Sequence, residues 1–437
     1  MDRKKVDFSR EDTKAVKGIA VAMMLFHHLA GFAEQRSPVG FEGFKKGFLS
    51  KIDDNYITNI AVHCKLCVAI FFFLGGYGIY KQMSANKFSL TESIVGLYKR
   101  YWKIFLIFVP IAFIFFRRSE DVTYLSGRYN LREIPQYITT ILSNFTMLSN
   151  TINMEWWFMK TYVCAIVLGT VFSRLLKKKN NFASELLIAF GTDILFRNLL
   201  PSLASNVPAL KSLFGNFFYT SFFSEASAIS PFFVGIVMAK YNGLIRLKEI
   251  ISRVPFRFLI GLVGMPAVLW SRCYIYGEGL DCIYAVFFTV FVSLFLDGIK
   301  PLRKAISFVG KHSTNMWLIH AFYCYYFLEA TKIVYCTRNV WIDFLILFAM
   351  SLVSSIIVEL FYGLIGLITR KIKNIIENFK AKKAEFPYVP ADCFSPVAET
   401  DTEKNIPADC FSSVAETDTE KEISAEDNIT SSTKNNQ

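Results

Sequence analysis

The sequence predicts an all-α membrane protein. About ten helices cross a bilayer, both termini lie in the cytoplasm, and a disordered acidic tail closes the chain. Three observations predict this. Of 437 residues, 53% are hydrophobic and only 19% charged, with 44 Phe, whereas soluble domains carry about a quarter charged residues. The apolar residues come in runs of roughly 17–25, the length a helix needs to cross the hydrocarbon core while satisfying its own backbone. Lys and Arg border alternate connections, which the positive-inside rule assigns to the cytoplasm.

The first span, Ala15–Phe32, follows Arg3, Lys4, Lys5, Arg10 and Lys14. Its basic start is like a secretory leader, but His27 and His28 interrupt the apolar run, so it is expected to stay in place. The second, Val62–Tyr80, ends before Lys81 and Lys87. The third, Tyr101–Phe116, opens on Lys99, Arg100 and Lys103. The loop after it, with Arg117, Arg118, Arg128 and Arg132, is a mild exception to the charge rule. The fourth, Trp156–Leu175, opens on a Trp pair suited to the interfacial belt and precedes Lys177–Lys179. Phe182–Leu199 and Tyr219–Lys240 are the fifth and sixth, interrupted by Asp193 and Glu225. Phe256–Tyr274 and Leu280–Asp297 flank a connection poor in Lys and Arg. Ile306–Leu328 is the ninth and carries Lys311. The tenth, Val340–Ile368, is followed by Arg370, Lys371, Lys373, Lys380, Lys382 and Lys383.

The net charge of +12 is therefore an orientation signal. Its basic residues border spans instead of forming one face, so no nucleic-acid partner is expected. The nine Cys make no disulfide framework. Cys64 and Cys67 have CxxC spacing without a second pair, and no metal site is expected. Cys273 and Cys282 lie near an outer loop and are the candidate disulfide.

Residues 1–376 are read as a polytopic membrane domain and 377–437 as the tail. Pro390–Ile406 recurs as Pro407–Ile423 with 15 of 17 positions matching. Three Lys against twelve Asp and Glu from Glu385 onward leave too little apolar surface to fold. The repeats read as a duplication, or as a docking motif doubled for avidity.

The candidate chemistry begins with Lys17 and His28 in KGIAVAMMLFHHL. Eleven positions bring two side chains to within about 20° on a helix and roughly 16 Å apart along it. A cation at the rim then shares a face with an imidazole near the midplane. Ionisable groups at that depth are costly and mark functional sites by default. Alone, Lys17 reads as a snorkelling anchor, and His28 as a partner for a neighbouring helix. His27 is the second choice for the catalytic position. Gly75 and Gly76 with Tyr77, in FFFLGGYGIY, either let helices approach closely or lay backbone against a cofactor. Lys99, Arg100 and Lys103 are a topology signal that would also suit a cofactor's phosphates. Glu155, beside Trp156 and Trp157, reads as a solvated flank or as a polar group facing an acceptor. His320, amid apolar neighbours, reads as a core histidine or an acceptor-side group.

Taken in order, KGIAVAMMLFHH, FFFLGGYGIY, YKRYWKIF, EWWFMKTY and FVGKHSTNMWLIH resemble blocks of the membrane-bound acyltransferase 3 family. The resemblance extends over most of residues 14–371. It implies a multi-pass O-acyltransferase, an O-acetyltransferase above all, of the cytoplasmic (inner) membrane. The acyl donor would be cytoplasmic acyl-CoA, usually acetyl-CoA, and the acceptor a hydroxyl of a cell-surface or exported glycan such as an exopolysaccharide. The resemblance places the family histidine at His28 and the donor-binding cation at Lys17, with Lys99, Arg100, Lys103, Gly75, Gly76 and Tyr77 on the donor side. Glu155, Trp156, Trp157 and His320 fall on the acceptor side. Glycan-assembly proteins are the partners it suggests. Two departures matter. Lysine stands where the family often has arginine, losing the bidentate fork for phosphate. Gly75 stands where the family commonly has serine. A glycan flippase, polymerase or other transporter is the alternative, needing the spans but not the Lys17/His28 pair.

Overall fold

The structure is a computed structural model that describes residues 7–33, 43–44, 54–115, 134–176, 181–195, 199–208, 212, 228–274 and 280–385. It forms two units, Met1–Thr369 and Arg370–Gln437. Among the described residues it is helical, without strands. The helices are α1 (Arg10–Ala30), α2 (Asp54–His63), α3 (Leu66–Ser84), α4 (Leu90–Phe115), α5 (Ile134–Phe145), α6 (Trp157–Leu175) and α7 (Phe182–Ile194). Then follow α8 (Leu200–Asn206), α9 (Ile229–Lys240), α10 (Gly243–Ser252), α11 (Arg257–Tyr274), α12 (Asp281–Asp297) and α13 (Lys300–Ala321). A π-turn (Phe322–Tyr326), α14 (Leu328–Val334) and α15 (Val340–Glu385) complete the described chain.

Three segments are long and apolar enough to cross a membrane: Tyr56–Ser84, Met154–Leu175 and Val340–Ala381. The other expected spans are helical in whole or part but shorter, more polar or only partly described. Residues 213–227, with Glu225, lie outside the described residues, as do 386–437 with both repeats. Cys273 and Cys282 are free thiols, so the candidate disulfide is not formed.

α1 starts on a capping box, with Ser9 and Asp12 each bonding the other's backbone N–H. Its packing is set by glycine. A Cβ on Gly18 would meet the Ile306 carbonyl, and one on Gly310 the Lys14 carbonyl. α1 and α13 therefore touch backbone to backbone, as small residues permit. Ten residues further along both helices, the rings of His28 and His320 are 4.7 Å apart, so the two run parallel. α3 packs on α9 with Gly76 against the Phe232 backbone and Gly235 against the Phe73 backbone, and Lys81 near the end of α3 donates to Asn242 just past the end of α9 at 2.8 Å, so the two run parallel.

Ion networks lock both ends of the bundle. At the start of α1, Arg303 lies 2.9 Å from Asp12, while Lys248 and Arg303 reach Asp297 at 2.8 and 2.9 Å. At the other end Arg272 grips Asp281 through two nitrogens at 2.6 and 2.8 Å and donates to the His63 carbonyl. Buried charges persist only when paired in this way.

Two expected boundaries shift in ways that matter for the site. The second span is two helices broken at Cys64–Lys65. The third begins eleven residues early, at Leu90, so Lys99–Lys103 lies in mid-helix and not at its start. The physical reason is that helices continue past the apolar run wherever polar residues can face outward, as Glu92, Lys99 and Arg100 do here.

Candidate active site

α1 carries His27 and His28 in its last turn, 100° apart on the helix. That angle gives them different partners. His27 Nδ1 donates to the Ala61 carbonyl at 2.9 Å and ties α1 to α2. His28 instead presents Nε2 to Glu155, 3.5 Å from Oε2. Both members of the pair are buried. At 3.5 Å the contact is electrostatic, beyond the usual N–H···O range of about 2.7–3.2 Å.

The other ring nitrogen, Nδ1, lies 3.0 Å from the Tyr325 hydroxyl, and that hydroxyl donates to the His28 carbonyl at 2.7 Å. His320, fully buried on α13, donates from Nδ1 to the Trp317 carbonyl at 2.6 Å, and its Nε2 has no hydrogen-bond partner among the described residues. A cavity of about 170 Å³ opens beside His28 and Glu155, with Lys65, Trp157 and Trp317 in its wall. It is smaller than the roughly 300–1,000 Å³ of a pocket enclosing a whole drug-sized ligand. A short acyl group and the reacting end of an acceptor fit its scale.

Glu155 reaches this place because the chain before α6 folds inward. The Tyr101 hydroxyl donates to the Asn144 carbonyl at 2.6 Å, the Trp102 indole to the Phe145 carbonyl at 2.9 Å, and the Met154 N–H to the Tyr326 hydroxyl at 3.0 Å. Asn153 caps the turn that follows, accepting from the Glu155 N–H. Trp156 is almost fully buried, and its indole donates to the Leu318 carbonyl. It stacks edge-on against Tyr101 at 4.9 Å. The two clusters expected on opposite sides of the bilayer, at Lys99 and at Glu155, thus come within ring contact. The mid-helix position of the first and the inward fold of the second account for it.

On the donor side the structure separates the sequence candidates. Lys17 and Arg100 lie within electrostatic reach of one another, and neither has a carboxylate partner among the described residues. The exposed Lys99 is likewise unpaired there. Arg100 also reaches Tyr162, whose hydroxyl lies where a Cβ on Gly75 would project. Lys103, by contrast, is committed to Glu359 at 3.1 Å, and its ammonium lies 5.5 Å from the Tyr362 ring. Gly76 is used for helix approach. Tyr77 packs edge-on against Phe8 at 5.4 Å, near the start of α1 and away from His28.

Sequence reasoning missed Tyr325, Tyr326, Lys65 and Trp317. Trp317 stands within FVGKHSTNMWLIH without being singled out there, the other three lie outside the quoted motifs, and Tyr325 follows His320 by five positions, about 140° round an ideal helix. A break in helical regularity was the missing signal. Among the described residues no group of three or more His, Cys, Asp or Glu is placed to hold a metal.

Comparison with known proteins gives one family match. A model described as "Acyltransferase domain" matches residues 12–360. Neither the curated proteins nor the solved structures yielded a match.

Proposed function

This chain belongs to the membrane-bound acyltransferase 3 family, and from that membership we propose that it moves an acyl group, acetyl above all, from cytoplasmic acyl-CoA to a hydroxyl of an exported or cell-surface glycan. The observation that carries the reading is the His28–Glu155 pair at 3.5 Å beside a small cavity, on the same helix as Lys17. Two neighbouring cations, Lys17 and Arg100, repel each other until an anion arrives, and phosphate suits them. Eleven residues of helix, about 16 Å, separate that anion site from the imidazole. A pantetheine arm spans this length.

In the proposed reaction, His28 Nε2 takes the proton of the acceptor hydroxyl as its oxygen attacks the thioester carbonyl. The C–O bond forms, the C–S bond breaks, and the proton passes from Nε2 to the departing thiolate. Glu155 steadies the imidazolium while it lasts. General-base catalysis of this kind is worth roughly 10²–10⁴-fold.

The ten-span order is supported by helix directions, and the Lys and Arg bordering alternate connections assign both termini to the cytoplasm. α1, α4 and α13, the first, third and ninth expected spans, share one direction. For α4 and α13 the pairing of Tyr101 with Trp156 near Leu318, and of Phe108 with Phe322, sets it. α3 and α9, the second and sixth expected spans, run parallel to each other, as two even-numbered spans do. A multi-pass protein of the inner membrane with a bilayer, an acyl donor and a glycan as partners follows from the same reading.

The test is transfer of labelled acetyl from acetyl-CoA to glycan in proteoliposomes. The wild-type chain is expected to transfer and His28→Ala to lose transfer while still inserting. Near-normal transfer by His28→Ala would remove that histidine from the mechanism.

A further inference from the structure

α13 does not end as an ordinary helix. Its last turn widens into the π-turn Phe322–Tyr326, closed by the Phe327 N–H on the Phe322 carbonyl at 2.7 Å. Such i→i+5 turns are rare and occur mostly at functional sites. The wide turn rotates Tyr325 back toward the face that carries His320, and both residues then meet His28. The two tyrosines of this turn hold the two halves of the reactive pair. Tyr325 holds His28 through Nδ1 and the backbone carbonyl. Tyr326 accepts from the Met154 N–H, one residue before Glu155.

A tyrosine hydroxyl has one proton. At Tyr325 that proton is directed at the His28 carbonyl, 2.7 Å away. Its oxygen is then an acceptor toward Nδ1, so Nδ1 must carry hydrogen. The partner of one ring nitrogen decides the state of the other. We propose that Tyr325 is a positioning residue that holds His28 in the Nδ1–H tautomer, leaving the Nε2 lone pair toward Glu155 and the cavity.

This rests on His28 acting as the base, as set out above. The competing structural role is a helix cap. The last four carbonyls of α1 have no partner within the helix, and Tyr335 donates to the next one, Leu29, at 3.1 Å without touching the His28 ring. Tyr335→Phe is therefore the control, because it removes a capping bond and leaves the imidazole alone.

The experiment labels the five histidines of the full chain with ¹⁵N and reads the two ring nitrogens of His28 at a pH where the ring is neutral. The signal is assigned by its loss in His28→Ala. In the wild type, the Nδ1 resonance is expected to be of the protonated type and the Nε2 resonance of the unprotonated type. Tyr325→Phe should mix the tautomers and lower kcat by about 10²-fold, within the roughly 10⁴-fold that a wrong tautomer costs in a Ser-His-Asp triad. KM for acetyl-CoA should stay within about twofold, since Tyr325 is not in the wall of the cavity beside His28. Tyr335→Phe should leave tautomer and kcat unchanged. A wild-type His28 protonated at Nε2, or a Tyr325→Phe chain with unaltered tautomer and kcat, overturns the proposal. Should Tyr325→Phe fail to fold, the wild-type spectrum decides alone. Absence of acetyl transfer by the wild type, with the expected tautomer present, instead defeats the functional reading.

Discussion

Adjacent residues in this chain hold different offices because a helix turns 100° per residue. His27 is held by a backbone carbonyl at 2.9 Å, and His28 faces a carboxylate. The same logic divides the cations. Arg100 lies near Lys17, and Lys103, three positions on, is spent on Glu359. Arg100→Ala is therefore expected to raise KM for acetyl-CoA about tenfold with little change in kcat, as loss of a charge-assisted phosphate contact does. Lys103→Ala should leave that KM within twofold, and steady-state kinetics in proteoliposomes separates the two. Glu155→Gln keeps size and removes charge. Its expected signature is a fall in kcat of at least tenfold, because an imidazolium loses its counter-charge during transfer. Unchanged kcat would mean that Glu155 is only a neighbour. The shared face of Lys17 and His28 was legible from spacing alone. Glu155 as the partner of His28 was not, because 127 positions separate them and only the fold closes that distance.

At the scale of helices, the proposed reactive pair depends on how closely α1 lies against α13. Gly310 sits against the Lys14 carbonyl, and backbone cannot move aside as a flexible side chain can. Gly310→Leu should destabilise the protein by about 1–3 kcal/mol or more through overpacking, lower its thermal midpoint in detergent and reduce transfer with it. Gly78 offers the contrast, since a Cβ there meets nothing within 4 Å. Gly78→Ala should match or exceed wild-type stability, alanine being the better helix former by up to about 1 kcal/mol. Equal losses in both variants would show that propensity and not close approach governs these positions. Gly75 and Gly76 in their apolar run announced close contact in the sequence, and Gly78 beside them makes none. Which helix each one meets was set by tertiary packing. The early start of α4 was hidden because apolar periodicity marks membrane depth better than helix ends.

For the molecule as a whole, the apolar runs, charge distribution and family membership agree on a membrane acyltransferase. The three segments long and apolar enough to cross belong to a bundle whose ends are pinned by the Asp12 and Arg272 networks. The expected topology puts both termini on one side. Single cysteines introduced near residue 430 and in the 275–279 connection of a chain lacking its own cysteines should label from opposite faces of sealed vesicles. Labelling of both from one face would end the ten-span reading. Removal of residues 386–437 should leave acetyl transfer within about twofold, because a low-apolarity acidic tail has no surface to contribute to a buried site.

Composition and periodicity by themselves determined the class: a bilayer selects for apolar helices with cations at their cytoplasmic ends, and those are properties of short stretches of chain. Spacing within one helix likewise determined that Lys17 and His28 share a face. Tertiary structure alone decided who stands opposite them. Glu155, Tyr325 and Arg100 come to α1 from other helices, through an inward-folded segment, a widened turn and a helix begun early. Those placements depend on the packing of every neighbour at once, and no local stretch of sequence carries them.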